Sequence, residues 1–248
     1  MPNPPVHMNL ARSAADILRH DTIDANMGYY LLGSTSPDIR VITRLDRAVY
    51  HFAPLDFEEI GTGINGLFHS HPTLGDASAH SDATQAFMAG YLTHLLADET
   101  WIANIFRPYF GNSDVFEDSV LGLVMDRAMQ LELDRRCWGT VIPMRGLLDL
   151  TVESVRVEFL PDETLAAWLQ WVTSSLDRGF SWERLRFMAR RIASGEESHP
   201  AHVLADTFLK DESDGLDLIY EHMPRGTEEE YQEIVIASLT KALEDYLP

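Results

Sequence analysis

Phe87-Met88-Ala89-Gly90-Tyr91-Leu92-Thr93-His94-Leu95-Leu96-Ala97-Asp98 is almost wholly apolar or small, yet it carries a histidine in its middle and an aspartate at its end. At roughly 100° per residue, Phe87, Gly90, Tyr91, His94 and Asp98 share one face of a helix. Met88, Leu92, Leu95 and Leu96 cover most of the remaining circumference, and a helix that is apolar all round is a buried helix. A histidine and a carboxylate on it must be paired, hydrogen-bonded or metal-bound, because an isolated buried charge is far too costly. The i, i+4 spacing brings both side chains over one point, which suits two ligands of one metal; a His–Asp hydrogen bond inside a core satisfies the same spacing.

Working outward, the flanking sequence supplies more groups of the same kind. Leu10, Ala14, Ile17 and Leu18 form an apolar helical stripe, and His7 falls on it one turn earlier. Residues 23–32 read as a second helix ending at Gly33. The turn Ser34-Thr35-Ser36-Pro37-Asp38 follows, in which Pro37 forces a bend and frees Asp38 to point back at the interior. Arg40-Val41-Ile42-Thr43 reads as a brief extended piece; Arg40, Arg44 and Arg47 then precede His51-Phe52. Residues 53–82, rich in Gly, Pro, Asp and His, read as a long loop of the kind that is usually functional. Helix resumes from about Asp82 to Asp98, continues to Pro108 or Gly111, and returns from Asp114 to about Arg136 with Val120, Val124, Ala128 and Leu131 inward. Five histidines and aspartates on helices or bends, His7, Asp38, His51, His94 and Asp98, point to a metal site built between helices.

The half after Gly139 differs in kind. Val155, Val157 and Phe159 alternate as a short strand would, and three amphipathic helices follow. The first is capped by Asp162, with Leu165, Trp168, Leu169 and Val172 inward. The second spans Ser181 to Gly195. The last opens with a capping box, Thr227-x-x-Glu230, and carries Tyr231, Val235, Ala242 and Tyr246. His199, His202 and His222 have no evident metal partner. The expectation is a helical core over 1–140 and a helical C-terminal subdomain over 141–248.

Composition narrows the chemistry. With 19 Lys+Arg against 39 Asp+Glu the formal net charge is −20, which argues against nucleic acid and against docking on anionic lipid. Cys137 is the only cysteine, so zinc here would take His and carboxylate ligands. No signal peptide and no apolar run of membrane length is visible, which predicts a cytoplasmic protein with no stable membrane insertion.

The set Gly33-Ser-Thr-Ser-Pro-Asp38, His51-Phe52 and Gly90-Tyr-Leu-Thr-His94-Leu-Leu-Ala-Asp98-Glu-Thr-Trp101 resembles the zinc-dependent phospholipase C family over about residues 5–138. The resemblance implies an all-α fold with zinc ions in a cleft among helices. It implies Asp38, His51, His94 and Asp98 around one zinc, with Asp98 bridging towards a second held by His7. The secreted members also use their N-terminal amine and a later His and Glu. This chain begins Met1-Pro2, and Glu117–Leu133 lacks histidine, so one or two ions are expected, with His69, His71 or Glu99 as further candidates.

Such ligands suit hydrolysis of a small-molecule phosphoester. Zinc brings the pKa of bound water towards neutrality, and a carboxylate such as Asp38 can orient or deprotonate that water. A catalytically silent, metal-stabilised binding protein would need the same ligands. His69-Ser70-His71-Pro72 with Asp82 also matches the ligand spacing of the JAMM-type zinc isopeptidases, although Ala79 stands where that family has a serine. His20-Asp21 could open an HD phosphohydrolase motif, but His20 lies off the apolar face of its helix.

Overall fold

A computed structural model describes residues 1–248, and it contains thirteen α-helices and no strand. In the first half these are α1 (Pro4–Leu18), α2 (Asp21–Ala25), α3 (Met27–Gly33), α4 (Arg40–Thr43), α5 (Ala48–His51), α6 (Thr62–Ser70), α7 (Asp82–Trp101) and α8 (Ser119–Val141). The second half adds α9 (Asp162–Asp177), α10 (Arg184–Ile192), α11 (Pro200–Phe208), α12 (Glu212–His222) and α13 (Thr227–Tyr246).

Helix α7 is the axis. Every residue from Ala83 to Trp101 is buried, as an apolar surface without a polar stripe requires. Ser81 caps its start by accepting the Thr84 N–H. Helices α1, α3 and α13 pack around it, and one apolar cluster runs from Val6 to Leu247. The closest packing is between α3 and α7: a Cβ on Gly33 would sit 1.9 Å from the Phe87 carbonyl oxygen, and one on Gly90 would sit 1.9 Å from that of Tyr30. Two glycines thus let two backbones touch. No helix is long and apolar enough to cross a membrane.

Several local expectations are corrected. Ile17 is 61% exposed, and the stripe reaches the core through Leu10, Ala14 and the partly buried Leu18 instead. The helix expected at 23–32 is two short ones, broken at Asn26. Arg40–Thr43 is helical, and the 53–82 loop contains α6 and two 3-10 turns. Past Trp101 the chain widens into a π-helical stretch, Ile102–Phe110, whose i+5 bonding (Gly111 N–H to Phe106 carbonyl, 2.7 Å) carries Pro108 without a break. The next helix starts only at Ser119, capped by Asp118.

Residues 155–159 are irregular chain leading into a turn at 158–159 rather than a strand, since no neighbouring strand offers a ladder. The C-terminal half has five helices instead of three. Pro161 rather than Asp162 caps α9. Gly226, at φ +96°, precedes α13, and the Thr227 hydroxyl donates to the Pro224 carbonyl instead of closing a capping box.

Candidate metal centre

Three helices deliver four side chains to one buried point. His7 comes from α1, where Leu10, Ala11 and Ala14 bury the same face. His51 is the last residue of α5, and His94 and Asp98 stand one turn apart on α7. The His7 Nε2 lies 3.3 Å from Asp98 Oδ1, while the Nε2 atoms of His51 and His94 lie 3.1 and 3.6 Å from Oδ2. The Nε2 atoms of His51 and His94 are themselves 3.3 Å apart, and the rings of His7 and His94 stack with centroids 3.7 Å apart.

Asp38 reaches this cluster from the cleft side. It sits in the 3-10 turn Ser36–Ile39, held by three hydroxyls: Ser34 donates to the Leu31 carbonyl, and Thr35 and Ser36 donate to that of Leu32. Trp168 of α9 donates its indole N–H to Thr35 at 3.1 Å, so the C-terminal half steadies the turn. Two overlapping ligand groups result. His7, His94 and Asp98 offer one ligand atom each within 4.8 Å of one another, and so do Asp38, His51 and His94.

The donor set fits a zinc ion. Nδ1 of His7 and Nδ1 of His51 are buried without a hydrogen-bond partner, and His7 Nε2 and Asp98 Oδ1 approach each other at 3.3 Å without forming a hydrogen bond. Buried polar atoms are seldom left so, and each such group costs about 1–3 kcal/mol unless something else satisfies it. Protonation points the same way. Burial pushes His51 down to about 4 and lowers His7, leaving both imidazoles neutral with lone pairs free at neutral pH. Against the effect of burial, the surrounding imidazoles, His94 foremost, hold the Asp98 carboxyl well below its usual range. Burial opposes charge on His94 as well, but the Asp98 carboxylate outweighs it and raises that pKa. The His94 Nδ1 lies 2.9 Å from the Ser34 carbonyl, which assigns the proton to Nδ1 and turns Nε2 towards the cluster.

Arg47 is the residue that sequence reasoning missed. Its side chain is 7% exposed, and it donates to Asp98 Oδ2 at 3.1 Å and to the Ala53 carbonyl at 3.4 Å. Its spacing after Asp38 resembles that of Arg44, which makes no ion pair, so nothing local distinguished the two. Glu99 fills no ligand vacancy: its carboxylate accepts the Gly61 and Gly63 N–H groups at 2.5 and 2.6 Å and ties the loop before α6 to α7.

The other histidine motifs stand apart from the centre. His69 and Asp82 are exposed, His71 lies 3.6 Å from Glu158, and no strand exists for an isopeptidase-like arrangement. His20 accepts the Thr22 N–H to cap α2. His199 caps α11, His202 contacts the Glu196 carbonyl, and His222 stacks on Phe116.

Asp38 also lines a cavity of about 590 Å³ that opens beside the cluster, together with Arg40, Asp134, Arg178, Arg184 and Arg191. Asp134 is fully buried there; burial pushes its carboxyl up to about 7, against the pull of Arg184 and Asn3. The folded protein therefore keeps a proton that the unfolded chain releases near pH 4. This residue's contribution is most favourable below that pH, fades as pH rises, and is fully lost above about 7. Asp134→Asn is expected to leave the unfolding midpoint unchanged below pH 4 and to raise stability progressively above it, by on the order of 4 kcal/mol at pH 8. Thermal melts of both proteins across that range check this; parallel pH profiles would refute it.

Residues 6–101 match the family model described as Zinc dependent phospholipase C. No curated protein and no solved structure matches the chain.

Proposed function

Starting from a zinc dependent phospholipase C segment over residues 6–101, we propose that the protein is a zinc hydrolase of phosphoesters. His7, Asp38, His51, His94 and Asp98 hold one or two ions in this reading. The observation that carries it is the convergence of three imidazoles, His7 and His51 among them held neutral by burial, on an ionised carboxylate, with several of their polar atoms unsatisfied, beside an arginine-lined cleft. Bound zinc would supply a water of lowered pKa and a Lewis acid at a phosphoryl oxygen.

The chain's own residues do the rest. The Ser34 carbonyl holds His94 in one tautomer and one ring orientation. Arg47 donates to Asp98 Oδ2 and fixes the carboxylate, so that its Oδ1 stays turned to His7. Asp38, the one half-exposed member, is the group that can reach both the cluster and a substrate in the cleft. It takes the proton of the attacking water.

Asp38→Asn is expected to lower kcat on a chromogenic phosphodiester about 10²-fold or more per bound metal, with His7, His94 and Asp98 still together. Metal analysis of the same preparations normalises the rates; an unchanged rate per metal would remove Asp38 from the reaction. For the parent protein the expected result is bound zinc and phosphodiester turnover. Bound zinc with no turnover on any phosphoester would favour the alternative, a metal-stabilised helical binding protein.

A further inference from the structure

The cavity beside Asp38 has a charge that the rest of the molecule does not share. In a chain of net charge −20, it gathers Arg40, Arg127, Arg178, Arg184 and Arg191 around Asp38 and Asp134. Arginines elsewhere are mostly neutralised: Arg12 pairs with Asp16, Arg145 with Asp149 and Asp177, and Arg186 with Glu183 and Asp206. Arg40, Arg178, Arg184 and Arg191 make no ion pair. Arg184 donates to the Ser175 and Gly179 carbonyls and the Ser175 hydroxyl and lies over the Trp138 ring, and the Nε of Arg40 is buried with no partner at all.

Resting on the phosphoesterase reading above, we infer that this cleft selects substrates bearing a second phosphate group, gripped by Arg40, Arg178, Arg184 and Arg191 while the first lies at Asp38. Guanidinium groups pair with phosphate bidentately, and a concave site with low-dielectric walls strengthens the attraction. The two carboxylates do not cancel this field. Asp38 faces the metal cluster, and Asp134 holds its proton up to about 7. Burial, then the nearness of Arg40, lowers the Arg191 pKa against the pull of Asp38, as expected where cations crowd together. The volume of about 590 Å³ is ample for a two-phosphate headgroup. A free bisphosphate ester and a phosphorylated lipid headgroup present the same chemistry to these arginines.

The test uses the full chain, both as purified and after removal of metal by chelation, with inorganic pyrophosphate as the probe. Calorimetry is expected to give saturable binding in both states, weakening as salt is raised. Arg178→Gln/Arg191→Gln should weaken it at least 10-fold. Arg190→Gln, an exposed arginine of α10 outside the cleft, should leave it within 2-fold. No saturable binding at millimolar pyrophosphate, or equal weakening by Arg190→Gln, would overturn the inference.

A soluble bisphosphate ester and neutral vesicles doped with a phosphorylated lipid, run as separate arms, identify the source. Binding to neither would also overturn it. Intact pyrophosphate binding without turnover of any phosphoester would instead reject the hydrolase reading and leave the cleft standing. Turnover without pyrophosphate binding would do the reverse.

Discussion

Asp98→Ala is expected to empty the metal centre, leaving zinc content below about one tenth of the parent, and to destabilise the chain even before metal is considered. Asp98 is the one group touched by all three imidazoles and by Arg47. Removing it takes away a ligand from the His7, His94 and Asp98 group and also leaves the Arg47 guanidinium buried without its counter-charge. Breaking a buried pair from one side costs about 3–5 kcal/mol, a large share of the roughly 5–15 kcal/mol that holds a domain folded. Asp98→Asn keeps the shape and a polar contact to Arg47, so it separates the two effects: metal falls while folding is better preserved. Metal analysis and thermal unfolding with and without chelator read both. His71→Ala serves as the comparison and should keep its zinc. Parent-like zinc in Asp98→Ala would sink the site assignment.

Gly90→Ala is expected to be, with Gly33→Ala, among the most damaging single methyls in the protein. The new Cβ would meet the Tyr30 carbonyl oxygen at 1.9 Å and the Ser34 nitrogen at 2.8 Å. Both are backbone atoms, so no side chain can swing away, and α3 must part from α7. Overpacking of this kind costs about 1–3 kcal/mol and more where nothing yields. At the upper value, the unfolding midpoint of a chain this size falls by roughly 6–12 °C. Metal affinity should fall with it, because Ser34, whose carbonyl orients His94, sits at the point of collision. Gly139→Ala in α8 is the control: a Cβ there meets nothing within 4 Å. With an ordinary helical backbone it should be neutral or stabilising by about 0.5–1 kcal/mol. Equal melting shifts for the two variants would refute the close-packing account.

Residue periodicity was enough to identify the central helix, while the all-α class was what the family resemblance implied, and the structure has thirteen helices and no strand. An apolar circumference from Phe87 to Asp98 leaves burial as the only stable outcome, and residues at i and i+4 share a face wherever the helix lies. The candidates His7, Asp38, His51, His94 and Asp98 were legible for the same local reasons: a stripe position, a bend after proline, a spacing of one turn. The shorter elements were less legible. Val155, Val157 and Phe159 have strand periodicity but no partner strand, and strands exist only in pairs. The broken helix at Asn26 and the proline carried in a π turn depend on what packs against them.

What only the tertiary structure decided is how these residues combine. That His94 serves both ligand groups, that Arg47 rather than Arg44 pairs with Asp98, and that Glu99 secures a loop all depend on distances between residues 36 to 87 positions apart in the chain. The arginine cleft is the extreme case, since it joins residue 40 to residues 178–191 in a chain whose overall charge is strongly negative. Local sequence sets which side chains share a helix face. Only the packing of one helix on another sets which faces meet.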